Sequence, residues 1–279
     1  MKNDFEILVK KYSFEVNEMC RNLFFDISPL YKEEAFINKY NQIVLGQLYK
    51  TGENILLLTS SGNAFEADIL VRILSEGTIK YVFLMQDDLK NKSNLVEEYY
   101  EIMPEMQKLT DHEKAMDAMK IFKELGYVKH PFQVSILSDM ELDRLKKKYS
   151  KNAISNMNKK WSYKRILTEL ANIDDRYHVL FTTLYSYSLS SHYIHYDGEA
   201  LHMRAEALRS QTEKQDYDLE TAHILRIISN ILAMMLLRVS EYVRQYKINE
   251  EKVLNRIVDA MKLQVEIDDL AEKIVKDKY

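Results

Sequence analysis

Residues 63–86 read NAFEADILVRILSEGTIKYVFLMQ. Most of them are apolar, and the charges Asp68, Arg72, Glu76 and Lys80 fall four apart. On a helix this spacing sets one charge on each successive turn of a single stripe, with alternating sign, so that each carboxylate can meet a basic group. The rest of the circumference calls for burial. The stretch therefore predicts a long helix, largely buried, with one charged seam.

The same character extends outward in both directions. Only six Gly and three Pro punctuate 279 residues, too few for a sandwich or barrel that turns every ten residues or so. Residues 3–26 carry Phe5, Val9, Tyr12, Val16, Cys20 and Leu23 at helical spacing. Residues 32–60 keep the period through Gly46 and Gly52, each of which marks either a break or a close helix crossing. Residues 218–247, with Leu225, Ile228, Leu232, Met235 and Val239, are the most apolar and are expected at the centre of the core. The last helix, bearing Leu254, Met261 and Val265, either closes the domain or supplies a homodimer interface through the terminal helices. The expected architecture is a single all-α domain over 1–279, a multi-helix bundle of long antiparallel helices, with 88–137 as a peripheral helical appendage. Capping boxes are expected at Thr110 with Glu113 and at Ser138 with Glu141, the latter opening a helix to about 157. Trp161 reads as an anchor between helices. Tyr177, Phe181, Leu184, Ser188, Ser191 and His195 share one face if 174–195 is α-helical.

Composition narrows the function classes. A net charge of −4 gives no bulk attraction to nucleic acid or an anionic membrane, and the run Lys146 to Lys148 reads as a solvated face. The lone Cys20 excludes an internal disulfide. It lies on an apolar stripe and reads as a small core residue. The start MKNDFEILVKKY lacks the apolar run of a secretory signal, and the apolar run at 231–237 falls short of a membrane span. A cytoplasmic protein with no membrane segment is expected. No glycine-rich phosphate loop, nucleophile elbow or zinc-protease helix occurs, and no cofactor is expected. His192, His195 and His202 cluster around Asp197 and Glu199. Two histidines three apart can share a metal on a helix, but a solvated, His-rich helix end is the plainer reading, and no metal is expected.

One further constellation is Arg72 and Glu76 with Ser191 and His195, on two separate stretches. The segments LVRILSEGTIKYVFL, KKWSYKRILTEL and LFTTLYSYSLSSHYIHYDGEAL resemble a family of all-helical bacterial proteins known only as a numbered domain of unknown function. That family's pattern is an Arg and a Glu four apart, a Trp-Ser pair, and a Ser-x-x-x-His step. The resemblance covers residues 63–201 and carries these positions over to Arg72, Glu76, Trp161, Ser162, Ser191 and His195. More distantly it points to the HEPN helical superfamily, and so to a HEPN-like core. Many HEPN members are metal-independent ribonucleases in toxin or phage-defence systems, with an Arg and a His four to six residues apart on one helix. No Arg here precedes a His at that spacing, so an RNase of this kind requires Arg72 and His195 to meet across helices. His195 would then serve as acid or base and Arg72 as phosphate clamp, with RNA or a nucleotide as partner. Two other readings stay open: a non-catalytic ligand-binding or sensor domain using the same pocket, and an interaction protein in which an Arg-Glu-His network only fixes the core.

Overall fold

The computed structural model describes residues 2–30, 36–86, 92–124, 131–184, scattered positions between 192 and 205, and 214–276. Among these every regular element is helical and there is no strand. In chain order the α-helices are α1 (Lys2–Ile27), α2 (Phe36–Ser60), α3 (Ala64–Met85), α4 (Lys92–Glu97), α5 (Met103–Glu124), α6 (Asp139–Lys148), α7 (Lys151–Lys160), α8 (Tyr163–Ile173), α9 (Lys214–Tyr246) and α10 (Glu251–Lys276). They form two compact units, one of Met1–Gln86 with Leu167–Tyr279, the other of Asp87–Ile166. The second takes in the 88–137 segment and continues through α6 and α7.

In the first unit α9 packs against α1, α2, α3 and α10. Its Leu225, Ile228, Leu232, Met235 and Val239 are fully enclosed, and Ile224, Ile227 and Ile231 are buried beside them. A helix apolar on so much of its circumference belongs in the interior. By length and composition alone Asp218–Tyr246 is apolar enough to cross a membrane, at mean hydropathy 1.6, yet 67% of that window is buried within the protein. Cys20 is buried in the same core, where desolvation pushes its thiol pKa up to about 12.

Side-chain pairings give the helix directions. Tyr12 Oη donates to Glu266 (2.6 Å), and Asp26 meets Lys252 (2.5 Å) and Arg256 (3.3 Å), so α10 runs against α1. Ser13 meets Thr59 (3.3 Å) and Phe24 stacks on Tyr49, so α2 does too. Between α3 and α9 the contacts are Asp68 with His223, Ser75 with Met234, Thr78 with Arg238 and Gln86 with Glu241. Both series ascend, so α3 and α9 are parallel, as α1 and α9 are, while α2 and α10 run against α1. Parallel neighbours cannot be joined by a tight turn; residues 87–213 supply the long crossover. The outer face of α10 leaves Leu254, Val258, Met261 and Val265 exposed, the stripe on which a homodimer is expected from sequence.

Helix α2 runs unbroken through both of its glycines. At Gly52 an added Cβ would stand 3.3 Å from Ile231 Cγ2, so this glycine serves the crossing with α9. At Gly77 of α3 an added Cβ would overlap Leu48 Cδ2, whereas Gly46 has open space around it. We predict that Gly77→Val destabilises the chain by about 1–3 kcal/mol through overpacking. Gly46→Ala is expected to be neutral or to stabilise by up to about 1 kcal/mol from helix propensity alone. Paired urea melts check the contrast, and equal effects at both sites would refute it.

Three local expectations are corrected. The helix expected from Ser138 to about 157 is two: Ser138 caps α6 by accepting from Glu141 N, but Ser150 caps a new helix by accepting from Ala153 N at 3.1 Å, with Tyr149 extended. The side-chain cap of Ser150 competes with continuation of the first helix. Helix α5 begins at Met103, not at the Thr110 box. A π-helical turn, Glu98–Ile102, precedes it, and Pro104 in its first turn has no N–H to leave unbonded. Residues Asp175–Thr182 are a 3-10 helix opened by Asp174, whose carboxylate accepts from Arg176 N. With three residues per turn Tyr177 and Leu180 face inward while Phe181 is exposed, so the shared α-helical face fails at its second member.

The second unit closes on Met106, Leu109, Leu145 and Tyr149, with Trp161 buried and tilted against Tyr99 at 4.8 Å. Beside this core Glu105 accepts from Lys148 Nζ (2.6 Å), from Arg144 Nη2 (2.9 Å) and from the Tyr149 hydroxyl. The Lys148 and Tyr149 hydrogen bonds hold its pKa down at about 2. A depressed carboxylate contributes stability that is present above its unfolded pKa and lost as pH falls towards the folded one. Between pH 4.5 and 2 the unit should therefore lose about 1–2 kcal/mol from this group, after allowance for solvent screening. Fluorescence of Trp161, the only tryptophan, reports on this unit. In Glu105→Gln its acid limb should flatten; an unchanged limb would exclude Glu105 as the source.

Candidate functional site along the α3–α9 seam

Helix α3 presents Asp68, Arg72, Glu76 and Lys80 along one stripe, as the four-residue spacing requires. Lys80 Nζ donates to Glu76 Oε1 at 2.6 Å, both side chains being partly buried. One turn towards the N-terminus lies Arg72, itself half-buried with Nη1 enclosed. A further turn back, Asp68 Oδ2 is 2.8 Å from His223 Nε2 of α9. The Asp68 carboxylate is only 14% exposed, while the imidazole stands 46% in solvent. Burial works against charging His223, but the hydrogen bond and negative charge of Asp68 outweigh it, and its pKa lies above the ordinary histidine value. Glu220 and Arg226 on its own helix also face it, with opposing effects.

The seam continues inward as a polar line through the core. Thr78 accepts from Nη1 of Arg238 at 2.5 Å, and Arg238 is only 1% exposed. At the far end Glu241, its carboxylate 4% exposed, accepts from Gln86 Nε2 (3.1 Å), from Arg244 Nη2 (2.6 Å) and Nε (3.2 Å), and from Arg176 Nη2 (3.3 Å). Tyr177 Oη accepts from both arginines. Burial and the neighbouring carboxylate push the Tyr177 pKa up to about 12. At its His223 end the seam combines an imidazole, a carboxylate and, one turn on, a guanidinium at the protein surface. That is the chemistry of proton transfer beside an anion.

The sequence-predicted residues fall as follows. Arg72 and Glu76 share the α3 stripe. Ser191 lies outside the described residues. His195 is exposed, on a segment where His192 Nδ1 is 2.6 Å from Asp197 and 3.8 Å from Glu199; the Asp197 hydrogen bond raises the His192 pKa. Trp161 is a packing residue, and the Ser162 hydroxyl donates to the Lys159 carbonyl at 2.8 Å; both belong to the second unit. Among the described residues no group of three or more His, Cys, Asp or Glu side chains is placed to hold a metal ion. The histidine that meets the stripe is His223, which sequence reasoning passed over. Its only signal was a polar residue between Glu220 and Arg226 at the solvated end of a very apolar helix.

Fold and seam define an all-helical protein whose polar groups are strung along one parallel helix pair and reach solvent at a His-Asp pair. The chain belongs to the family of unknown function DUF5677, whose model matches residues 43–213. That match contains Arg72, Glu76, Ser191 and His195, and ends before α9 with its His223, Arg238 and Glu241. No curated protein and no solved structure matches the chain.

Proposed function

We propose that this protein is a metal-independent ribonuclease of HEPN-like type, a cytoplasmic toxin or phage-defence effector, with its site at the His223 end of the seam. The observation that carries the reading is the 2.8 Å contact of His223 with the shielded Asp68, one helical turn from Arg72 on the same stripe. A histidine kept charged by a carboxylate is a competent acid at neutral pH. In the proposed reaction the ribose 2′-hydroxyl attacks the adjacent phosphorus and His195 takes its proton. His223 delivers a proton to the departing 5′-oxygen, and the products are a 2′,3′-cyclic phosphate and a 5′-hydroxyl. Arg72 offsets the charge that develops on the non-bridging oxygens. Glu76 with Lys80 holds the stripe in line behind Arg72.

The test is cleavage of an end-labelled RNA in EDTA, with growth of an expressing host alongside, for the wild type, Arg72→Ala, His195→Ala and His223→Gln. Circular dichroism and melting establish that each variant is folded. Wild-type cleavage leaving cyclic phosphate ends, lost in folded variants, supports the reading. A wild type without cleavage or growth effect, together with strongly destabilised variants, means that the seam is structural and the ribonuclease reading is wrong.

A further inference from the structure

We infer that the first unit carries a separate binding site for aliphatic diamines and polyamines, in a cavity beside the early turns of α9. The cavity measures about 380 Å³, within the range of small-molecule sites. It is bounded by the first turns of α1, the turn from α2 to α3, and the early part of α9.

Its chemistry is dominated by acceptors. Glu6 and Glu220 contribute carboxylates, against the single ammonium of Lys10. The end of α2 and the turn after it contribute Ser60 and the exposed Ser61, whose hydroxyl protons are both committed to the α2 backbone, while Thr59 behind them is fully buried and meets Ser13. Thr59 donates to Leu56 O (2.9 Å), while Ser60 and Ser61 both donate to Leu57 O (2.8 and 3.0 Å). A hydroxyl whose proton is spent can offer a ligand only lone pairs. Helix α2 also ends here, and its dipole turns a negative end towards the space. Gly62, at φ +76°, makes the tight turn and adds no side chain to fill it. The remaining lining is Phe5, Val9 and Ile224, which are apolar, with Thr221 beside Glu220.

A ligand that fits must therefore bring several donors and positive charge, separated by hydrocarbon. Ammonium groups on a methylene chain meet that description: the charged ends take the carboxylates and hydroxyl lone pairs, and the chain lies on the apolar wall. Phosphates and nucleotides, acceptor-rich and anionic, are disfavoured by the same atoms. The site differs in chemistry from the RNA-facing end of the seam, although its Glu220 also faces His223, and amine binding does not require that RNA be cleaved.

The full chain should be titrated with putrescine and with spermidine at constant ionic strength, by calorimetry and by thermal shift. Magnesium chloride and inorganic phosphate serve as controls. Saturable binding and a raised Tm are expected with the amines only. Glu220→Gln should weaken binding roughly tenfold, the scale of one charge-assisted hydrogen bond. Lys10→Gln removes the one opposing charge and should tighten binding, a gain that misfolding cannot mimic. Ser61→Phe, at an exposed position on the turn, should block the cavity without loss of fold. The inference is overturned by the absence of saturable amine binding, by an equal response to magnesium or phosphate, or by affinities unchanged across the three variants.

Discussion

His223→Gln is expected to reduce RNA cleavage by about 10²–10⁴-fold, the usual contribution of a positioned acid or base, while the chain stays folded. Glutamine can still donate a hydrogen bond to Asp68, so the shielded carboxylate keeps a partner, and the half-exposed position leaves no cavity. What it cannot do is carry a transferable proton. Asp68→Asn is the complementary change. It keeps the shape but removes the charge that holds the His223 pKa above its ordinary value, so the pKa should fall. The direction follows from the acid role: the active, protonated form exists below the His223 pKa and is lost as pH rises through it. In Asp68→Asn the alkaline limb of the pH–rate profile should therefore move to lower pH. Stability follows the same sign, since a raised histidine pKa stabilises the fold fully below the unfolded value and the benefit fades as pH rises through the folded one. A profile that does not move in Asp68→Asn would remove His223 from the acid role, even if the histidine variant were slow.

The sequence was most informative where a single periodicity governs. The stripe Asp68, Arg72, Glu76 and Lys80 and the apolar run from Leu225 to Val239 repeat at helical intervals, and the structure has both as long helices. Where the local choice is between near-equal backbones, periodicity says little. Ser150 can sit inside a helix or cap one, and one side-chain hydrogen bond decides. The segment after Asp174 has a pattern fitting either an α- or a 3-10 helix, and these place Phe181 on different sides. The site was half legible for a different reason. Spacing along α3 reveals which residues share a face, but not which helix that face meets. That His223 reaches Asp68 depends on the parallel register of α3 and α9, which is set by packing between two helices far apart in sequence and which no local pattern encodes. Gly77 was passed over similarly, because its role is set by Leu48 on another helix.

Glu241→Leu is expected to destabilise the first unit by about 2–4 kcal/mol, near the lower part of the range for breaking a buried ion pair by removing one partner. Glu241 is the acceptor on which the C-terminal end of the seam converges: Gln86 from the end of α3, Arg176 from the 3-10 helix, and Arg244 from its own helix all donate to it. Its carboxylate is 4% exposed, but Arg176 and Arg244 are 36% and 41% exposed. After the substitution both guanidiniums can recover water, so the loss should stay below that of a fully enclosed pair. Glu241→Gln keeps an acceptor oxygen and removes only the charge, and should cost less. The decisive comparison is a double-mutant cycle with Arg244→Met, read by chemical denaturation. If the cost arises from stranded positive charge, Glu241→Leu should be markedly less damaging in the Arg244→Met background, with a coupling of about 1–3 kcal/mol for groups in direct contact. Strict additivity would mean that Glu241 acts through packing alone, and the convergence of two arginines on it would then have no energetic consequence.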